Sequence, residues 1–111
     1  MNKLDKQSLK VHPLVAFELG FNNALVLQEL YNSYKNNGKE SQWMEFDYYS
    51  WLMREFPFWG IWTLKGVIRN LVKSGYLFEE HVTTDYNKMV LAYLLNMEKT
   101  EELFRRLRLI V

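Results

Sequence analysis

Cysteine is absent from the 111 residues. That one absence removes disulfides, thiolate zinc sites and cysteine nucleophiles together, and it fits a reducing compartment, so a cytoplasmic location is expected. Proline occurs twice and glycine five times, too sparsely for a Pro/Gly-rich linker. There is no internal repeat and no low-complexity stretch, so residues 1–111 are expected to form one domain, with a core over about 9–95 and a final helix over about 98–110. Histidine occurs twice, and His12 and His81 lie far apart without ligand spacing, so no metal site is expected. No glycine-rich phosphate loop exists, and no cofactor is expected. No apolar run approaches the roughly 18–20 residues that a bilayer span needs, and the polar, mixed-charge N-terminus does not read as a signal peptide. A membrane partner is therefore not expected.

Charge of one sign is also lacking. Fourteen basic residues face 13 acidic ones, for a net charge of +1, and the isoelectric point is about 7.9. Dedicated nucleic-acid domains usually lie above about 9, so any case for nucleic acid rests on where the charges sit. Paired acids are wanting too: Glu79 and Glu80 are neighbours on an expected strand and point to opposite faces. The chain does not read as an enzyme.

What is present in quantity is apolar. Hydrophobic residues make up 49% of the chain and aromatics 16%, with four tryptophans, ample for one core. Alternation over residues 9–12 predicts a short strand. Pro13 suits the first turn of a short helix with Leu14, Val15, Phe17 and Leu19 as its apolar side, and Gly20 ends it. Asn22 is the expected N-cap of a second helix. Its apolar set is Leu25, Leu27, Leu30, Tyr31 and Tyr34, and it stops at Asn36-Asn37-Gly38. A short strand over 43–46 is expected next. A third helix comes after it, capped by Asp47 and ended by Pro57. Phe58, Trp59 and Gly60 make a tight turn into a helix over 61–74, whose buried face is Ile61, Leu64, Val67, Ile68, Leu71 and Val72. Gly75 terminates it. Strands over 76–82 and 89–95 flank a turn at 83–87, and an amphipathic helix over 98–110 closes the chain. Two helices joined by a short turn and then a hairpin make a winged helix-turn-helix. The expected class is α+β, mainly α, with an additional C-terminal helix.

The run Phe56-Pro57-Phe58-Trp59-Gly60-Ile61-Trp62-Thr63-Leu64-Lys65, then Val67-Ile68-Arg69-Asn70-Leu71, closing with Lys73-Ser74-Gly75-Tyr76-Leu77, resembles a known pattern. It is similar to the winged-helix domain at the front of replication-initiation proteins of phages and mobile elements of Gram-positive bacteria, the group related to DnaD-like primosomal proteins. His12-Pro13-Leu14, Leu19-Gly20, residues 23–31, Tyr48 and Trp51 fit the same pattern. The resemblance spans about residues 11–80. It implies a winged-helix fold and double-stranded DNA binding in replication initiation or its control. The chain departs from the pattern at Asp47, Ser50, Gly60, Trp62 and Gly66.

With one side of the 61–74 helix buried, the outward set is Trp62, Thr63, Lys65, Gly66, Arg69, Asn70 and Lys73. Lys65, Arg69 and Lys73 are spaced i, i+4, i+8, and no acid lies between residues 61 and 75. In a major groove, Arg69 suits guanine, Asn70 suits adenine, and Lys65 and Lys73 suit phosphate. The plainer reading is a solvated face. Trp62 and Gly66, one turn apart, offer a ring beside bare backbone, which suits a protein contact, with packing of Trp62 beside Trp59 as the alternative. The hairpin carries Glu79, Glu80 and Asp85 against Lys88, which reads as a structural hairpin and not a phosphate tracker. The last helix offers Leu103, Phe104, Leu107 and Ile110 as a homodimer surface. Its acids come early and Arg105, Arg106 and Arg108 late, the order that the helix dipole favours. The partners expected are thus double-stranded DNA and a second copy, or alternatively a replication protein or helicase loader.

Overall fold

The computed structural model describes residues 11–36, 44–45, 54–83, 87 and 89–110. The chain is α+β and mainly helical. Its described elements are α1 (Pro13–Leu19), α2 (Phe21–Asn36), β1 (Met44–Glu45), α3 (Ile61–Lys73), β2 (Leu77–Thr83), β3 (Met89–Leu95) and α4 (Met97–Arg106). The expected cap at Asp47, the 47–53 part of the third helix, Lys88, and residues 84–86 of the hairpin turn lie outside the described residues. Residues 54–55 are helical and Phe56 is not, so the helix ends ahead of Pro57 as expected. Of the strand expected over 9–12, residues 11 and 12 are described and are not strand.

His12 has a backbone role here. Its Nδ1 accepts the Leu14 amide at 3.2 Å, capping α1 ahead of Pro13, and its own amide donates to Gln28 Oε1 at 2.7 Å. Gly20 takes a left-handed φ of +87°, which glycine adopts without Cβ strain. Its N–H closes α1 on Ala16, and its carbonyl accepts the first bond of α2 from Ala24. Helix α2 therefore starts two residues earlier than expected, at Phe21, and Asn22 lies inside its first turn and is not its cap. On α1 the apolar side is narrower than the sequence suggests. Val15 is buried, Ala16 and Leu19 pack on the core, but Leu14 is 46% and Phe17 90% exposed.

Helix α2 runs through the middle of the molecule. Ala24, Leu25, Val26 and Leu27 are consecutive and all buried, joined by Leu30 and Tyr34. The sheet has the order β1-β3-β2, antiparallel throughout, with Met44 opposite Tyr93 and Leu77 opposite Leu95. The buried Tyr34 hydroxyl donates to the Tyr93 carbonyl of β3 at 2.8 Å, and burial pushes its pKa up to about 12. Tyr31 stands edge-on to Phe104 of α4 at 4.9 Å and donates to Glu101 Oε2 at 2.8 Å, where Lys35 also pairs at 3.4 Å. The Tyr31 hydroxyl is the main influence holding the Glu101 carboxyl below its ordinary range.

Two helices end in the same six-residue device. At α3, Gly75 has φ +84°; its N–H donates to Val72 at 3.1 Å and that of Tyr76 to Leu71 at 2.9 Å. This is a Schellman motif. At α4, Arg108 has φ +60°; its N–H donates to Arg105 at 2.9 Å and that of Leu109 to Phe104 at 2.8 Å. The same motif thus closes on arginine in place of glycine. It stops α4 at Arg106, four residues short of the expected end, and turns Leu107, Leu109 and Ile110 back onto the core.

Asn96 binds the two ends of this layer together. Its Oδ1 accepts the Lys99 amide as the N-cap of α4, its Nδ2 donates to the Gly75 carbonyl at 2.9 Å, and its amide donates to the Tyr76 carbonyl at 2.9 Å. Lys99 Nζ adds a hydrogen bond to the Ser74 carbonyl and lies 4.9 Å from the Tyr76 ring centre.

These contacts can be tested at two positions. Arg108→Gly removes left-handed strain at an exposed site and is expected to raise stability by up to about 1 kcal/mol, read as a higher denaturant midpoint at unchanged slope; a lower midpoint would contradict the strain. Tyr31→Phe is expected to lower stability by about 1 kcal/mol at neutral pH. Because the folded Glu101 pKa is depressed, that contribution is present above the ordinary carboxylate range and lost as pH falls through the depressed value. Wild type and variant should therefore converge in acid, and a gap independent of pH would refute the assignment.

Candidate nucleic-acid interface on helix α3

Helix α3 opens without a side-chain cap. Gly60 supplies only its carbonyl, accepting Thr63 at 3.1 Å and Leu64 at 3.3 Å. Just before it, Phe56 is fully buried and stacks on Trp59 at 4.9 Å with rings 14° apart. This pair seats the turn on the core and fixes where α3 begins. Leu64, Val67, Ile68 and Leu71 are buried, so the opposite side is set by the 3.6-residue period.

Of the six residues expected to meet DNA, Trp62, Thr63, Arg69, Asn70 and Lys73 are exposed and Lys65 is half-buried. Trp62 does not fold back beside Trp59; it is 79% exposed. Lys65 Nζ lies 4.9 Å from the Trp62 ring centre, a cation–π contact that draws the first cation of the row toward the start of the helix. Among the described residues, the ion pairs join Lys35 to Glu101, Arg54 to Glu55 and Arg106 to Glu18. Arg69 and Lys73 take part in none of them.

Beside this face is a feature that residue spacing along the chain does not disclose. An open groove of about 550 Å³ runs between the first turn of α2 and the outer side of α3. Phe21, Asn22 and Asn23 form one wall, and Trp62, Thr63, Gly66, Val67 and Asn70 the other. Among the described residues that line it, none is charged. Phe21 is 58% exposed. The available signal was an aromatic directly after a helix-breaking glycine and off the apolar row of α2. Asn23 is held by its Nδ2 bond to the Leu19 carbonyl at 2.9 Å.

Gly66 is unexplained by the fold itself. A Cβ built there meets nothing within 4 Å, and its φ is not positive. The bare backbone is therefore a gap in the outer surface, between Trp62 and Asn70 on the same row.

The other candidate surfaces are placed differently. Leu103 and Phe104 are 3% and 5% exposed within the chain's own core, and Leu107 and Ile110 pack against it. Leu103 and Phe104 thus cover the chain's own interior and do not form part of an outer surface, while Leu107 and Ile110 are half-buried. Arg106 grips Glu18 of α1 through two bonds of 3.2 and 3.4 Å. In the hairpin, Glu79 and Glu80 are both exposed, and Glu79 accepts the Tyr93 hydroxyl across the strands at 2.7 Å. Among the described residues no helix is long and apolar enough to cross a membrane. No protein-family model, curated protein or solved structure matches the chain.

Gly66→Ala is expected to stabilise the protein by about 0.5–1 kcal/mol, since glycine in a helix interior is disfavoured by that amount and the site is open. Thermal or denaturant unfolding reads it, and a destabilised variant would mean that the backbone at Gly66 is already in close contact.

Proposed function

We propose that the chain is a winged helix-turn-helix module that binds double-stranded DNA through α3. The carrying observation is the outer row of α3, where Arg69 and Lys73 are exposed and outside any ion pair among the described residues, on a helix with no acid. Supporting it is the sheet order β1-β3-β2, in which the strand ahead of the helical pair joins the hairpin that comes after it. The tight Phe56–Gly60 turn between residues 54–55 and α3 supplies the helix-turn-helix joint. In this reading Lys65 and Lys73 meet phosphates and set register, while Arg69 and Asn70 read base edges. The hairpin, acidic at Glu79 and Glu80, braces the core and stays off the backbone. The resemblance of the Phe56–Leu77 run favours a place in replication initiation or its control in a phage or mobile element, and with it a cytoplasmic setting.

A second reading is favoured by one observation, the exposed Trp62 ring beside the neutral groove. An aromatic anchor in such a position suits a protein partner, such as a replication protein or helicase loader, or a second copy.

Salt separates the two. Two phosphate contacts give a slope of about −1.8 in log affinity against log salt, so affinity for a mixed-sequence duplex is expected to fall about twelvefold between about 50 and 200 mM salt. Lys65→Ala/Arg69→Ala should flatten that slope markedly in fluorescence anisotropy. Absence of binding at the lower salt would sink the DNA reading and leave the aromatic anchor.

A further inference from the structure

The neutral groove lies beside the cationic row of α3, and its chemistry differs from that row. Its walls carry two aromatic rings, Phe21 and Trp62, both well exposed, and the uncharged groups of Asn22, Thr63 and Asn70. Among the described lining residues no side chain neutralises a phosphate, so phosphate recognition leaves this part of the surface unexplained. The edge of a DNA duplex shows hydrogen-bonding groups and a single kind of apolar group, the C5-methyl of thymine, which stands in the major groove. Trp62 is the second residue of α3, and residues at the start of a recognition helix are those that approach base edges. Gly66, one turn on, leaves open space where a Cβ meets nothing within 4 Å, so a base edge can reach the helix backbone between Trp62 and Asn70. Asn70 continues the same row and matches the N6 and N7 of adenine.

We propose that the groove between α2 and α3 reads thymine methyl groups, with Trp62 as the specificity-determining ring and Asn70 facing the adenine side, so that the chain prefers A·T steps. This rests on the DNA-binding reading. It adds recognition of the thymine methyl to the base contacts that reading gives to Arg69 and Asn70.

The test compares an alternating dA-dT duplex with an alternating dA-dU duplex, which has the same phosphates and pairing and lacks only the methyls. Binding is measured by anisotropy at about 50 mM salt and across a salt series. Wild type is expected to bind the dA-dT duplex more tightly, by about threefold to fourfold for each methyl covered, with the same salt slope for both duplexes. Trp62→Ala, a change at an exposed ring that leaves the core intact, should bind the two duplexes alike and keep the salt slope. Equal wild-type affinity for the two duplexes, with salt-sensitive binding to both, would overturn the methyl reading and leave DNA binding standing. No binding of wild type to either duplex would overturn both.

Discussion

Four consecutive buried residues in one helix demand cover on every side. Ala24, Leu25, Val26 and Leu27 point in four directions separated by about 100°, so no single packing face satisfies them. The arrangement of the chain around α2 is the answer to that demand. Helix α1 folds back across Gly20, α3 closes a second side, and β3 and α4 close the rest through the Tyr34 and Tyr31 hydroxyls. Those two tyrosines combine apolar bodies with polar ends. Each buries a ring against the core and places its oxygen where another element offers an acceptor. The outer side of α3 is the surface left over once α2 has been enclosed, and it carries the basic row of Lys65, Arg69 and Lys73.

The layer behind α3 is held by polar groups that the helix ends leave over. A helix terminates with unbonded carbonyls, and the Schellman turn at Gly75 satisfies two of them internally. The Gly75 carbonyl itself then faces Asn96, and the Ser74 carbonyl faces Lys99. One asparagine thus caps α4 and anchors the end of α3, with the strand β2 and its partner β3 between them. This explains why the hairpin can carry the exposed acids Glu79 and Glu80 and still be structurally needed: it carries the chain from one end of that junction to the other in register.

Much of this was legible in the residue order because the deciding signals were local. Gly20, Pro57 and Gly75 announce their turns, the 3.6-residue spacing of Leu64, Val67, Ile68 and Leu71 fixes the buried side of α3, and the β2–β3 pairing comes from apolar residues on either side of a polar turn. Other features depend on tertiary context. Nothing in Leu107-Arg108-Leu109-Ile110 announces a break, because the left-handed arginine is selected by the packing of Leu109 and Ile110 against the core, beyond it in the chain. Periodicity likewise made Phe17 part of an apolar face, although seven residues of helix have room for only one narrow buried edge. The groove at Phe21 was invisible for a further reason. It belongs to two helices about forty residues apart in sequence, and no single stretch contains it.

The two ends of α3 are held very differently. Its C-terminal end is bonded through Ser74, Gly75 and Tyr76 to Asn96 and Lys99, whereas its N-terminal end receives the carbonyl of Gly60 and is seated by the stacked Phe56 and Trp59 rings. The first turn of α3, which carries Trp62, is thus located by apolar stacking, and the last turn, which carries Lys73, by directed hydrogen bonds. The two ends of the surface that α3 presents therefore answer to different forces: what weakens polar bonds loosens the end with the last cation first, and what weakens apolar burial loosens the aromatic end.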